Sequence, residues 1–130
     1  MKRIITILIL AIVYTYSLYA QEITNDITQV FEKGRAEMIT PYLNREVECS
    51  FLSQESRKLS QKETENSLTV FFTQHVPTKF TILHKVQRDE SLFIIATMYS
   101  QTEKYRVNLL FRKKNNSFLI HQIRIVTLNE

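Results

Sequence analysis

The sequence predicts an α+β domain behind an export signal, on three observations. An apolar stretch follows two basic residues at the N-terminus, apolar residues at helical spacing come next, and four strand-like runs then succeed one another across residues 78–127 with no helix between them. Helices gathered ahead of sequential strands pack on one face of an antiparallel sheet, the α+β arrangement.

Lys2 and Arg3 precede the apolar run from Ile4 to Tyr19, and Ala20 stands ahead of Gln21 and Glu22. A basic n-region, an apolar h-region and a small residue at the cut are the layout of a secretory signal peptide. The run is shorter than the roughly 20 apolar residues that span a bilayer comfortably. Residues 1–20 are therefore read as a signal peptide cleaved after Ala20, and 21–130 as one periplasmic or secreted domain with no stable membrane insertion after cleavage. An uncleaved anchor is the alternative, and Leu18 is larger than the residue usual two places before the cut. No Cys at the cut offers a lipid attachment point.

The chain is +4, but two of its 17 Lys and Arg residues precede the h-region; without them 15 basic face 13 acidic side chains, about +2. No basic run with interleaved aromatics remains, so nucleic acid is not an expected partner. Arg112, Lys113 and Lys114 form the one tight cluster, read as a solvated hairpin tip before Asn115 and Asn116.

Ile23, Ile27, Val30 and Phe31 mark the first helix of the mature chain, and Gly34, the only glycine, is read as its C-cap. A short second helix from about Arg35 to Leu43 carries Met38, Tyr42 and Leu43 and is distorted by Pro41. Alternation over Glu46–Phe51 predicts a strand with Val47, Cys49 and Phe51 inward. After a polar connection, Ser60-Gln61-Lys62-Glu63 has the form of a capping box and opens a helix with Leu68, Phe71, Phe72 and His75 on one face, stopped by Pro77.

Four strands complete the chain. Phe80, Ile82, His84 and Val86 are read as inward on the first; Leu92 to Tyr99 is apolar on both faces. Tyr105, Val107, Leu109 and Phe111 are inward on the third, and Leu119, His121, Ile123 and Ile125 on the fourth. The connections Arg88–Glu90, Gln101–Glu103 and Asn115-Asn116 have hairpin length and composition, which gives an antiparallel meander.

Phe31-x-x-Gly34 with Leu43 and Val47 downstream, Phe71-Phe72 followed by Pro77-x-x-Phe80-x-x-x-His84, Tyr105-Arg106-Val107 and Ile123-x-Ile125 together resemble the secreted domain-of-unknown-function 4783 family of Bacteroidota. The resemblance covers nearly all of the mature chain. It implies a nuclear transport factor 2-like, or cystatin-like, cone in which helices pack on a curved antiparallel sheet that ends in a four-strand meander. It implies export and no particular reaction. Gln101-Thr102-Glu103 departs from the family's glycine-rich turns.

Related cones include enzymes such as ketosteroid isomerase, which need carboxyl groups projecting into the cone. The inward meander positions hold none; Asp89, Glu90 and Glu103 fall in turns. The pocket candidates are His84, His121 and Tyr105. The two histidines titrate near neutrality and suit a general base, although a His on an apolar face is more often a hydrogen-bonded core residue. They stand three strands apart, roughly 14 Å at about 4.8 Å per step. Zinc needs nitrogens about 2 Å from the ion and further ligands, and His75 on a helix end adds no usable spacing, so neither a metal nor a cofactor is expected. Cys49, between Val47 and Phe51, reads as an inert packing thiol, with an intermolecular disulfide as the alternative.

Phe93, Ile95 and Leu110 are the interface candidates. They occupy the sheet face opposite the expected core, alongside Tyr99, Arg106, Arg112 and Arg124. Apolar surface rimmed by basic groups marks a contact site; cover by the chain's own termini is the alternative. The favoured reading is a non-catalytic binding or scaffold module of the cell envelope, docking a second copy or an envelope protein on that face. The alternative is a small enzyme or carrier holding a small apolar ligand in the cone near His84.

Overall fold

The structure is a computed structural model that describes residues 2–128. The side chains of residues 9–20, which include most of the expected h-region and Ala20, lie outside the described residues. The first helix, α1, runs Lys2–Lys33. Ile4, Ile5, Ile7 and Leu8 are each more than half exposed, whereas Ile23, Ile27, Val30 and Phe31 are fully buried. No helix among the described residues is long and apolar enough to cross a membrane.

Gly34 ends α1 at a φ of 66°, and the Arg35 N–H reaches back to the Val30 carbonyl at 3.0 Å. That six-to-one bond closes a Schellman motif, which needs a left-handed residue and so favours glycine. A Cβ here would also press on the Pro77 ring, 3.3 Å away. The expected second helix is a 3₁₀ helix, Ala36–Tyr42, with Pro41 inside it. Tyr42 donates its hydroxyl proton to Asp26 and so ties this turn back to α1.

Strand β1 is Leu43–Phe51, and β2, Arg57–Ser60, pairs antiparallel with it. The sequence shows only a polar connection at β2, because four residues with one apolar side chain give no periodicity. Helix α2, Gln61–Gln74, starts with the full capping box: the Glu63 N–H donates to Ser60 Oγ, and the Ser60 N–H donates to the Glu63 carboxylate. Thr64, Leu68, Phe71 and Phe72 form its buried stripe.

The meander consists of β3 (Pro77–Arg88), β4 (Ser91–Ser100), β5 (Lys104–Lys114) and β6 (Ser117–Leu128). Asn115 and Asn116 both have positive φ, 51° and 65°, the twist of a two-residue hairpin turn. The sheet order is β2-β1-β6-β5-β4-β3. It differs from a wholly antiparallel sheet in one place, since β1 lies parallel to β6. α2 spans the connection between β2 and the meander, so the chain returns to the sheet at its far edge.

One face of the sheet carries the core. Leu92, Ile94, Met98, Leu109, Ile120 and Ile123 are fully buried beneath the helices. The Phe31 ring stacks on Phe80 with centroids 5.2 Å apart and meets Phe72 edge-on at 5.6 Å, so one residue joins α1, α2 and β3.

Two bulges correct the expected strand faces. On β3, Ile82 pairs with Ala96 but His84 pairs with Ile95, so Leu83 is an extra residue. Beyond it His84 and Val86 turn to the outer face, where both are exposed. On β6, Ile120 pairs with Phe111 and Gln122 with Leu110, leaving His121 as the extra residue. Phe118 and Ile120 are buried there, and Leu119 and His121 are not. Side chains alternate with period two, so each inserted residue inverts the facing of the rest of its strand.

Candidate functional site

The pairing register lays out the outer face as a grid. Val86, Phe93, Leu110 and Gln122 form one row across β3, β4, β5 and β6, and His84, Ile95, Asn108 and Arg124 form the next. Phe93, Ile95 and Leu110 are thus adjacent, each partly exposed, with Val86 44% exposed beside them. Cross-strand neighbours on one face stand about 5 Å apart, so these four side chains make one apolar block. Asn108 Oδ1, beside Ile95, is buried and has no hydrogen-bond partner among the described residues. The row at the other end of the strands is cationic: Lys79 and Lys104 both lie over the Tyr99 ring, at 5.6 and 5.7 Å.

His84 therefore belongs to the rim of this face and not to the cone. As an exposed residue it contributes little to folding, and His84→Ala should change stability by no more than about 0.5 kcal/mol. Coincident thermal unfolding curves are the expected result, and a drop of many degrees would place the ring in the core.

His121 lines a polar cleft of about 350 Å³ on the same outer face, next to Glu46, Glu48, Lys58, Arg112 and Gln122. Burial lowers its pKa, and the nearby positive charges of Arg112 and Lys114 push it further down. The two histidines do not meet. Among the described residues no cluster of His, Cys, Asp and Glu has the arrangement to hold a metal ion.

Tyr105 alone of the three pocket candidates faces the helix side. It is buried, and its hydroxyl lies 2.6 Å from His75 Nδ1 and 3.2 Å from Glu103 Oε2. A phenol has one proton to give. The chain is satisfied when the His75 Nδ1–H donates to the hydroxyl and the hydroxyl donates to the carboxylate. Burial raises the Tyr105 pKa and the Glu103 carboxylate raises it further, so the phenol stays protonated in that role. The cluster pins the end of α2 to the β4–β5 hairpin. Sequence reasoning misses His75 here, since it lies thirty residues from Tyr105 and no local spacing marks the pair.

Cys49 is buried, 3.8 Å from the Thr64 hydroxyl. Burial pushes its thiol pKa up, outweighing the hydrogen bond and the Arg57 charge that lower it. A protonated thiol in the core is a packing residue.

Helices packed on one face of a six-strand sheet make a nuclear transport factor 2-like fold, which solved structures share. A protein from the nuclear transport factor 2-like family of Streptomyces avermitilis, described as a putative dehydratase, superposes with a TM-score of 0.64 at 8% identity, covering 89% of this chain and 98% of that one. At that identity the likeness is one of fold alone. Residues 24–126 match the family described as "Domain of unknown function (DUF4783)", and the chain belongs to that family. Family members from Bacteroides ovatus and Bacteroides uniformis each share 30% identity and a TM-score of 0.76. The first alignment covers 81% of this chain and 94% of that one, the second 82% and 97%. No protein of curated function matches the sequence.

Proposed function

We propose that the protein is an exported, non-catalytic binding module of the cell envelope that works through the outer face of its sheet, with a second copy of itself as the first partner. The observation that carries this reading is the contiguous apolar block of Val86, Phe93, Ile95 and Leu110 on a face that no element among the described residues covers. An antiparallel sheet with one face in water ordinarily makes that face polar. A second copy fits because an apolar block is complementary to itself. A two-fold axis through it would lay Val86, Phe93, Ile95 and Leu110 on the same residues of the partner, since such a contact uses the same patch on both subunits. Light scattering should return twice the protomer mass; a strictly monomeric mass at high concentration sinks the reading.

Export is supported by the layout of residues 1–20 and by the burial pattern along α1. The exposed Ile4, Ile5, Ile7 and Leu8 precede Ile23, with which the described core contacts of the helix begin. Protein recovered from the envelope fraction should have the intact mass of a chain beginning at Gln21. A product still beginning at Met1 contradicts cleavage.

A further inference from the structure

We propose that a cleft on the helix side, between the β1–β2 connection and α2, binds a small organic anion with an aromatic or branched apolar body. The body would lie against Phe51, Val70 and Phe71, and the anionic group would sit on Arg57. The cleft has a volume of about 410 Å³, within the range of sites that take drug-sized molecules, roughly 300–1,000 Å³.

Register puts Arg57 there. It pairs with Cys49, whose side chain is in the core, and residues directly opposite each other across two strands share a face. Arg57 therefore projects to the helix side at the edge of the sheet, and its charge is felt at the Cys49 thiol. Among the described residues it is the only charged side chain lining the cleft, and it has no carboxylate partner. A single guanidinium among apolar and amide groups selects for a negative ligand, because its planar fork matches a carboxylate in two parallel hydrogen bonds.

The apolar wall is prebuilt. The Phe51 and Phe71 rings lie 6.2 Å apart and tilted by 37°, and Val70 is 55% exposed at the lip. The connection that closes the other side holds Leu52 at a φ of 58°, a left-handed conformation that is costly for a leucine. The Leu52 N–H donates to the Ile125 carbonyl at 2.7 Å, and the Gln54 N–H closes back on the Phe51 carbonyl at 3.2 Å. Strained backbone fixed in this way is common where a loop clamps a ligand.

The test titrates isotope-labelled protein, purified as the cell processes it, with 2-naphthoate and with its uncharged counterpart 2-naphthamide, tracking backbone amide shifts. Naphthoate should saturate, with shifts centred on Gln54, Val70 and Phe71. Arg57→Gln should weaken naphthoate about tenfold or more while leaving naphthamide unchanged, since only the charged ligand loses a charge-assisted bond. Val70→Asp should weaken both, and because Val70 is exposed the amide spectrum should otherwise remain that of the folded protein. Shifts that fail to saturate, that map away from the cleft, or that leave Arg57→Gln with wild-type affinity overturn the proposal. The last outcome would make Arg57 only an inward-pointing charge that guards an edge strand against pairing. The site is on the opposite side of the sheet from the apolar block, so a monomeric mass would leave this titration decisive.

Discussion

Phe31→Ala should lower the midpoint of thermal unfolding by roughly 15 °C or more, the largest single-residue effect expected in the core. Phe31 is fully buried, stacked on Phe80 of β3 and edge-on to Phe72 of α2. Truncating a buried phenylalanine costs about 3–5 kcal/mol, from lost transfer free energy and from the cavity left behind. The cavity would open between three elements that are each held by other contacts, so collapse around it would be incomplete. With total stabilities of about 5–15 kcal/mol, a loss of that size leaves a marginal protein. Val70→Ala, on the exposed side of α2, is the control and should melt within a few degrees of the parent. If Phe31→Ala also does so, the packing of α1 on the sheet is not what holds the domain together.

Much of this fold is legible in the sequence because its signals are local. Gly34 and the Ser60–Glu63 box mark helix ends through backbone hydrogen bonds made within a few residues. Asn115-Asn116 marks a turn through two left-handed residues. Alternation places the apolar residues of β4 on the correct faces because that strand runs without an inserted residue, so Leu92 and Ile94 are buried while Phe93 and Ile95 are not.

The features that sequence does not disclose depend on partners distant in the chain. A bulge is defined by the opposing strand, and neither Leu83 nor His121 is a glycine or carries any other mark of one. Strict alternation carries His84 and His121 inward, and the observed register sends both out. The parallel pairing of β1 with β6 joins residues more than seventy positions apart. Tyr105 meets His75 by the same route, through the packing of α2 across the sheet, and the Arg57 cleft exists only once β2 and α2 are in place. Elements lie in the chain; clefts lie between elements.

Ile95→Asp should convert the proposed dimer to a monomer without unfolding it. Ile95 sits in the middle of the outer-face grid, with His84 and Asn108 opposite it on the flanking strands and Phe93 in the next row. In the lone protomer its side chain is partly exposed, so a carboxylate there keeps most of its hydration and the core beneath, Ile94 and Ala96, is untouched. In the two-fold complex the same carboxylate would be taken out of water without a dedicated partner, and an unpaired buried charge costs several kcal/mol. A stable contact is expected to bury upwards of about 1,000 Å² in total, and its affinity rests on a few central apolar residues, so one central charge is enough to break it. Light scattering should give the protomer mass for Ile95→Asp, with a circular dichroism spectrum and melting curve that still report a folded domain. Arg124→Gln, in the same row but two strands away, should leave the proposed dimer intact. If instead Ile95→Asp melts as a destabilised core variant and the parent protein is monomeric, then the side chain is covered by its own chain and the face is not a docking surface.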